Sequence, residues 1–515
     1  MSYYVIGIGG TGAKCVEALT HLCAAGVLPP GELYAVFVDP DKANGSLERA
    51  EITLQQYANC RKIGLGATDL FKTEITRAKP DVWSPFGNEP NPRLDGFFRY
   101  EGLKSNEPAA AHLFDVLYSR DEKTTPLEEG FRGHPSIGAA IMASTLQLGA
   151  DEPWKTFRNK IGQDLGGGPG AKIALIGSIF GGTGASGIPT IARMIREELR
   201  LAKKSQEKGK GEQEKNSQAG AKLGGILMLP YFSFTPVEDE KLRADSENFL
   251  LSTQAALKYY YQQDDLRVRG DQRVYDGVYL IGEQNLSPMK ESSVGGKTQR
   301  NEPHFVEIYA ALACVDFYAK ENVKEYQMIA RQAEGTLRWN DLPYIQGPDM
   351  LSQKLNQLAR FAFAYLCSYY PMLDHINKAK SGYRAPWYVN FFARPKVDLA
   401  QKMREELLHM KEYCESFLRW FANIQSSAKE IKSELVNYSA FARKEKKGDK
   451  ESIALLPPAE FKTSEFGNLT LLRPEEDPNG LNRLWERMSN AKVRDNDATD
   501  IGKFIQALYR ECKEK

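Results

Sequence analysis

The sequence has almost no net charge: 68 lysines and arginines face 67 aspartates and glutamates, which leaves +1 at neutral pH. Such a chain sets up no long-range field that would attract nucleic acid or an anionic membrane. It also lacks any apolar run near the ~20 residues that a membrane-spanning helix needs. The first predicted strand starts at Tyr3, which leaves no room for a signal peptide. We therefore expect a cytoplasmic protein with no membrane span and no nucleic-acid partner.

Cysteine is sparse and lacks metal-binding spacing. The seven cysteines are scattered without a C-x-x-C pair, which fits reduced thiols in the cytosol and argues against a zinc site. A chain of 515 residues exceeds the size at which one hydrophobic core usually keeps growing, so two domains are expected. Its 42% hydrophobic and 26% charged content is that of an ordinary globular protein.

Two glycine-rich loops are the most informative features that are present. The first, Gly7–Gly12, follows the apolar run Tyr3–Ile8, and the second, Gly181–Ser186, follows Ile173–Ile179 and opens a predicted helix over Ile188–Leu199. Glycine lets backbone N–H groups approach an anion, and a helix N-terminus adds partial positive charge. Each loop is therefore a phosphate cradle, and two cradles suggest one long polyphosphate.

The first loop alone predicts a dinucleotide-binding enzyme. Gly7, Gly9 and Gly12 match G-x-G-x-x-G, and a second strand over Leu33–Val38 ends at Asp39, where a ribose-binding carboxylate would lie. The second loop argues against this interpretation, because a Rossmann domain uses a single pyrophosphate-binding turn. An NAD(P)-dependent enzyme also needs a paired acid and base, and no such pair stands out.

Predicted strands alternate with predicted helices through the first half of the chain. The strands are 3–8, 33–38, 172–179, 223–229 and 276–281, and the helices are 12–25, 107–119, 137–148, 186–202 and 240–262. A long irregular insertion is expected from about 40 to 105. This order predicts an α/β fold with a parallel sheet covered on both faces, in which ligands bind at the carboxyl ends of the strands.

The same order carries a resemblance to the tubulin/FtsZ superfamily. Gly-Gly-Thr-Gly-Ala-Ser at 181–186 is similar to the tubulin signature GGGTGS, and Gly7–Gly12 resembles the N-terminal phosphate loop of FtsZ. Three further segments match in the family's order, namely His134–Ala140, Leu227–Phe234 and Asp276–Glu283. The resemblance covers about residues 1–320 and looks most like a divergent prokaryotic tubulin-like protein.

This resemblance implies a Rossmann-type GTPase domain over 1–300, a central helix over 301–320 and a mainly helical C-terminal domain over 321–515. In the last part we expect helices at 350–368, 398–425 and 480–512, with short strands at 387–392 and 468–472. Apolar residues from Leu399 to Ile424 recur at four- and three-residue steps. Such a stripe packs against a helix of this chain or of another subunit.

The resemblance also implies a GTP or GDP site with Mg²⁺. The glycine loops would hold the phosphates through Gly9, Gly10, Thr11, Gly12, Gly181, Gly182, Thr183, Gly184, Ala185 and Ser186. Ser186 is alternatively a helix N-cap. Gly133, His134 and Gly138 would face the terminal phosphate, or form an ordinary proline-containing turn. His134 and Ser136 replace the family's Asn and Glu, so no metal ligand is assigned.

The remaining nucleotide contacts have alternatives too. Asp39 would accept from ribose hydroxyls or cap the next turn, and Arg243 would contact the terminal phosphate or remain a solvated helix charge. Glu283 lies where the family has a base-contacting Asn, and a carboxylate can accept from guanine N1–H and N2–H₂ together. Lys14 replaces another base-contacting Asn. Guanine is the preferred base.

Catalysis is the weakest part of the resemblance. Pro303–Lys320 is the predicted central helix, but the acidic motif that should follow it is missing. The best placed carboxylate is Asp341, which would act on the nucleotide of a neighbouring subunit or is simply an exposed turn residue. We expect a GTP-binding protein with slow or assembly-activated hydrolysis that forms filaments or oligomers. The alternatives are a non-polymerising nucleotide-binding interaction protein and an NAD(P)-binding enzyme.

Overall fold

The fold is known from a computed structural model. It describes residues 1–131, 133–146, 151–166, 170–207, 220–234, 247–264, 266, 273–284, 286–289, 296–298, 301–320, 338–344, 346–379, 385–392, 401–428, 433–447, 450–471 and 479–513.

A six-stranded parallel sheet forms the centre of the protein. Its strands are β1 (Ser2–Ile8), β2 (Glu32–Val38), β3 (Glu74–Trp83), β4 (Ala171–Ser178), β5 (Ala221–Met228) and β7 (Gly277–Ile281), in the order β3-β2-β1-β4-β5-β7. Ile8 pairs in register with Val38 on one side and Gly177 on the other. The carboxyl ends of these strands therefore meet at one edge of the sheet. Two short pairs lie apart from it: β6 (Phe232–Phe234) with β8 (Ser287–Met289), and β9 (Ala442–Lys447) with β10 (Lys450–Leu455).

Helices connect these strands. They are α1 (Gly9–Ala24), α2 (Gly45–Arg61), α3 (Leu94–Phe97), α4 (Tyr100–Asn106), α5 (Pro108–Leu117), α6 (Arg120–Thr124), α7 (Pro135–Thr145), α8 (Trp154–Leu165), α9 (Gly182–Glu207), α10 (Glu247–Gln262) and α11 (Val306–Ala319).

The C-terminal part is mainly helical. Its helices are α12 (Pro348–Ala364), continued by a π-helical turn over Tyr365–Tyr369, then α13 (Tyr370–Ala379), α14 (Pro386–Phe392), α15 (Gln401–Ala428), α16 (Gly480–Asn490) and α17 (Asp500–Glu511). The predicted fold class, an α/β parallel-sheet domain with a mainly helical C-terminal part, is confirmed. Across the described ranges, no helix has the length and apolar character needed to cross a membrane.

The sheet separates two apolar cores. Tyr3 and Val5 of β1 point to one face, where they pack with α1, α2, α11 and the C-terminal helices. Tyr4 and Ile6 point to the other face, which α7, α8, α9 and α10 cover. This alternation follows from the two-residue period of a strand, and the burial of both faces explains why these strands have continuous apolar runs.

Helix α11 crosses the first of these faces from edge to edge. Near its N-terminus the backbone N–H of Phe305 donates to Ser427 Oγ at 3.0 Å. At its C-terminus Lys172 Nζ donates to the carbonyl oxygens of Tyr318 and Lys320, both at 2.6 Å. Lys172 is the second residue of β4, so this end of α11 lies at the amino edge of the sheet, and a buried cation there complements the helix dipole. The predicted helix over 303–320 thus forms from Val306 to Ala319.

The prediction of an irregular insertion from about 40 to 105 is wrong, because this part of the chain contains α2 and β3. Asn44 caps α2, whose Leu47, Leu54 and Tyr57 are buried. The strand β3 was not predicted because it lies at the edge of the sheet and pairs with a neighbour on one side only. Its exposed charged residues are interspersed with partly buried ones. Its sequence therefore lacks a continuous apolar run.

Three predictions in the C-terminal part are also corrected. Residues 387–392 are helical in α14 rather than a strand, and 480–512 forms two helices, since the Thr499 side chain caps the start of α17. Residues 468–471 contain a turn rather than a strand, and residue 472 lies outside the described part of the chain. The apolar stripe of α15 packs within this chain, through the buried Leu407, Met410, Cys414, Phe417, Phe421 and Ile424.

Candidate functional site

The two glycine loops are in contact at the carboxyl edge of the sheet. They follow the neighbouring strands β1 and β4, and α1 and α9 begin directly at Gly9 and Gly182. A Cβ built on Gly9 would lie 3.5 Å from Cβ of Thr183. Gly9 has a φ of +72°, a conformation that side-chain-bearing residues rarely adopt. Gly9 and Gly182 are 173 positions apart in the sequence, and the fold places the two loops side by side.

Both loops present the start of a helix to the same space. The first four N–H groups of a helix have no partner within it, and the helix dipole adds positive charge there. Five loop residues remain partly accessible to solvent: Gly9, Gly10, Thr11, Gly181 and Thr183. The chemistry offered is therefore a set of backbone N–H donors and two threonine hydroxyls, which suits a phosphate chain.

Phe131 and Gly133 lie against the second loop. A Cβ on Gly182 would come within 3.0 Å of Phe131 Cβ and 3.1 Å of Gly133 N, so a side chain at Gly182 would displace both residues. Gly133 and His134 are exposed, and His134 Nδ1 lies 3.2 Å from Glu122 Oε1. These two predicted residues thus lie at the rim of the space between the loops.

Three of the predicted residues lie behind the loops. Ser186 is 1% exposed, and its hydroxyl donates to the carbonyl oxygens of Gly182 at 2.7 Å and Thr183 at 3.2 Å. A Cβ on Gly138 would overlap Ser186 Oγ, so this pair forms the contact between α7 and α9. Ala185 is buried, and its carbonyl oxygen accepts from Tyr260 Oη at 2.6 Å. Buried Gly12 and Gly184 likewise allow α1 and α9 to approach the strands.

Asp39 directly follows β2 beside the first loop, and one of its two carboxylate oxygens has no hydrogen-bond partner. It is 4% exposed; Oδ1 accepts from Asp41 N at 3.1 Å, whereas Oδ2 has no hydrogen-bond partner. Burial, and next the charge of Asp41, raise the pKa of Asp39 well above its usual range. Asp41 accepts from Ala43 N at 3.0 Å and from Gly296 N at 2.7 Å. A buried carboxylate oxygen without a partner is costly, and a bound cation would satisfy it.

Asn44 joins this strand end to the first loop. Its Oδ1 accepts from the N–H groups of Ser46 at 2.9 Å and Leu47 at 3.4 Å, which caps α2. Its Nδ2 would lie 2.9 Å from a Cβ on Gly10. Sequence reasoning missed Asp41 and Asn44, although an acidic pair followed by Asn directly after a buried strand is a signal for turns and a helix cap.

Lys14 is buried inside the protein and does not face the loops. It is 2% exposed and forms an ion pair with Glu307 Oε1 at 2.5 Å, while Glu307 is fully buried. Lys14 Nζ also donates to Tyr231 Oη at 3.1 Å. Glu307 further accepts from Tyr231 Oη at 2.9 Å and from the backbone N–H of His304 at 3.0 Å. This cluster ties α1 to the first turn of α11.

The structure shows Glu283 and Asp341 hydrogen-bonded to residues outside the two loops. Glu283 is half-buried just after the edge strand β7, and its N–H donates to Pro230 O at 3.2 Å. Asp341 is exposed and accepts from Arg338 N at 2.7 Å. Arg243 lies outside the described residues.

Metal-ligating residues do not cluster elsewhere in the described ranges. No group of three or more His, Cys, Asp or Glu is arranged there to hold a metal ion. All seven cysteines are free, and all but Cys367 are buried. Any cation at the carboxyl edge would therefore share its ligands between one or two carboxylates and a bound molecule.

Comparison of the sequence with known proteins identifies no relative. No protein-family profile matches the chain, and no curated protein matches it either. Among solved structures it is similar to CetZ2 from Haloferax volcanii, described as a GTPγS-bound protofilament, at 15% identity and a TM-score of 0.27. The match covers 63% of this chain and 60% of that one. Because the score is so low, fold and function rest on the residues described above.

Proposed function

We propose that this chain is a tubulin/FtsZ-like nucleotide-binding protein that binds GTP and hydrolyses it slowly, or only on self-association. The observation that carries the proposal is the contact between the two glycine loops, with Gly9 against Thr183 at the start of two helices. A single such loop serves one pyrophosphate. Two loops on neighbouring strands double the number of N–H donors and suit a longer phosphate chain.

The phosphates would occupy the space between Gly9–Thr11 and Gly181–Thr183. The N–H groups of both loops and the hydroxyls of Thr11 and Thr183 would be their donors. Gly133 and His134, at the rim, would lie nearest the terminal phosphate. Ser186, Gly138 and Ala185 would contribute by holding the second loop in place, because their polar groups and surfaces are already used in packing.

Asp39 and Asp41 fit the Mg²⁺ that accompanies nucleoside triphosphates. Mg²⁺ prefers oxygen ligands and is usually held by one or two carboxylates together with phosphate oxygens and waters. Asp39 Oδ2 is a buried oxygen without a partner, and register places Asp39 beside the first loop. The ion, when bound, would neutralise phosphate charge. Asp39 would hold it with Asp41 nearby, instead of contacting ribose.

Base recognition is assigned to Glu283, whose carboxylate can accept from two guanine donors that adenine lacks. Lys14 is an unsuitable base ligand here, because its ammonium is enclosed with Glu307 and Tyr231. The preference for GTP over ATP therefore depends on one residue at the edge of the sheet.

Hydrolysis would require a second copy of the chain. Asp341, an exposed carboxylate later in the chain than α11, would act on the nucleotide of a second copy stacked end to end. A shared site of this kind makes turnover depend on protein concentration. Unpaired cysteines support a reducing compartment such as the cytosol.

A second candidate is a nucleotide-stabilised interaction protein that does not polymerise. Two observations favour it: Asp341 already accepts a hydrogen bond within its own turn, and the apolar stripe of α15 is used within the chain. The stripe is then not available to a subunit contact, and part of the accepting capacity of Asp341 is used within its own turn.

The test is to denature the purified protein, identify the released nucleotide by chromatography, and measure GTP, ATP and NAD binding by calorimetry. We expect GTP or GDP in the extract and tighter binding of GTP than of ATP. Release of NAD(P), or equal binding of ATP, contradicts the proposal. Sedimentation with GTP and with GDP then separates the candidates, since nucleotide-dependent pelleting is expected only of a polymer.

A further inference from the structure

The backbone of His134 is held at the start of α7, next to the second glycine loop. Its N–H donates to Phe131 O at 2.8 Å, and its carbonyl oxygen accepts from Gly138 N at 3.3 Å. The residue before it is Gly133, whose nitrogen would lie 3.1 Å from a Cβ on Gly182. The backbone of His134 is therefore fixed from both sides, and its half-exposed imidazole ring lies at the rim.

A carboxylate sets the orientation of this ring. His134 Nδ1 lies 3.2 Å from Glu122 Oε1. The other oxygen, Glu122 Oε2, accepts from Ser119 N at 2.8 Å, and Glu122 N donates to Ser119 Oγ at 3.3 Å. This reciprocal capping box anchors the carboxylate on the first turn of α6. The hydrogen bond from the Ser119 N–H also holds the pKa of Glu122 below its usual range, so Glu122 is an anion held in place.

The carboxylate determines which ring nitrogen of His134 can meet a ligand. Nδ1 faces Glu122, and an ionised carboxylate only accepts hydrogen bonds, so Nδ1 is the donor there. The nitrogen left for a ligand is Nε2. A neutral imidazole has one N–H, whereas the protonated ring donates from both nitrogens. A ring that donates to Glu122 and to a phosphate oxygen is therefore an imidazolium between two anions, and each anion stabilises its charge.

A cation at the rim suits the terminal phosphate. The two loops offer neutral donors, namely backbone N–H groups and the hydroxyls of Thr11 and Thr183. Lys14 cannot supply the charge, because it is enclosed with Glu307. A hydrogen bond from a charged donor is roughly twice as strong as one between neutral groups. A nucleotide without the terminal phosphate would not gain this bond.

We propose that His134 binds the terminal phosphate through Nε2 as an imidazolium, and that Glu122 is the positioning residue that orients the ring and stabilises its charge. The pair then distinguishes a nucleoside triphosphate from a diphosphate. The inference rests on the proposed nucleotide-binding function. It assigns Glu122 no contact with the nucleotide and gives neither residue a part in hydrolysis.

The experiment measures GTPγS and GDP affinity by calorimetry for His134→Ala, Glu122→Gln and Asp121→Asn. A capping box accepts glutamine in place of glutamate, so Glu122→Gln removes the charge but keeps the cap. Asp121 is the matched control, since it is an exposed carboxylate on the same helix, one residue earlier. We expect GTPγS binding to weaken about tenfold in His134→Ala, equivalent to about 1.4 kcal/mol, and about threefold in Glu122→Gln. GDP binding should change less than about twofold in all three variants.

The sign of the Glu122→Gln effect separates positioning from simple electrostatics. Removal of a negative charge near a polyphosphate should by itself strengthen binding, and Asp121→Asn should show that effect or no change. Weaker GTPγS binding in Glu122→Gln alone therefore supports the proposal. The double variant His134→Ala/Glu122→Gln should bind GTPγS no more weakly than His134→Ala, because Glu122 acts through His134.

Nuclear magnetic resonance supplies a readout in the unaltered protein. The ring ¹⁵N signals of His134, identified by their loss in His134→Ala, should become those of a doubly protonated imidazole when GTPγS binds at neutral pH, but not when GDP binds. A singly protonated ring in the GTPγS complex would overturn the proposal.

Three binding results would also overturn it: unchanged or tighter GTPγS binding in Glu122→Gln, equal weakening in Asp121→Asn, or equal loss of GTPγS and GDP affinity in His134→Ala. A wild type that binds neither nucleotide would instead overturn the proposed function, and this inference with it.

Discussion

Replacing Lys14 with methionine removes the ammonium but keeps most of the stem. Glu307 would then be left as a buried carboxylate with two hydrogen-bond donors, Tyr231 and the His304 N–H, and no cation. Removing one partner of a buried ion pair typically costs 3–5 kcal/mol, because the remaining charge is uncompensated. We expect Lys14→Met to lower the free energy of unfolding by about 3–5 kcal/mol.

The double variant Lys14→Met/Glu307→Gln should recover much of this loss. Glutamine is neutral and can still accept a hydrogen bond, so only imperfect pairing remains, at about 1–2 kcal/mol. The second substitution should thus restore about 1–4 kcal/mol of the loss. Urea unfolding followed by circular dichroism gives all three values.

An exposed pair provides the control for this cycle. Lys104 and Glu101 form an ion pair at 2.9 Å but are 48% and 83% exposed, so Lys104→Met should leave the urea midpoint unchanged. If Lys14→Met behaves like Lys104→Met, or if the double variant is less stable than Lys14→Met alone, the enclosed ion pair and the reasoning built on it are refuted.

Three further predictions concern the site. Thr183→Ala should weaken GTP binding about tenfold in calorimetry, and Ser186→Ala should weaken it less, because Ser186 only holds the loop in place whereas Thr183 reaches the accessible space; the reverse order would remove the second loop's hydroxyl from the site. Asp39 has a folded-state pKa above its unfolded value of about 3.9, so stability of the nucleotide-free protein should fall as pH rises from about 4. Asp39→Asn should therefore raise stability at pH 8 in urea unfolding but reduce Mg²⁺-dependent GTP binding, and a less stable variant at pH 8 would contradict this. GTP hydrolysis per subunit should rise with protein concentration, and Asp341→Ala should abolish the rise without changing affinity; rapid turnover independent of concentration would show that catalysis is completed within one chain.

Much of the architecture could be predicted from the sequence, because it depends on neighbours along the chain. The strands after which Gly9 and Gly182 begin helices are contiguous apolar runs, and the glycine turns follow them directly. Alternation of strand and helix then leads to a parallel sheet. The edge strand β3 and the helix α2 were missed, since neither has the continuous apolar pattern of the buried strands.

The composition of the site depended on tertiary packing. Lys14 and Glu307 are 293 positions apart, and only the crossing of α11 over α1 turns a presumed base ligand into half of a buried ion pair. Ser186 points back to its own helix because Gly138 occupies the other side. The unpartnered oxygen of Asp39 likewise results from the burial of a strand end. Local patterns encode turns and helices, whereas the direction and solvation of a side chain are set by distant residues that pack around it.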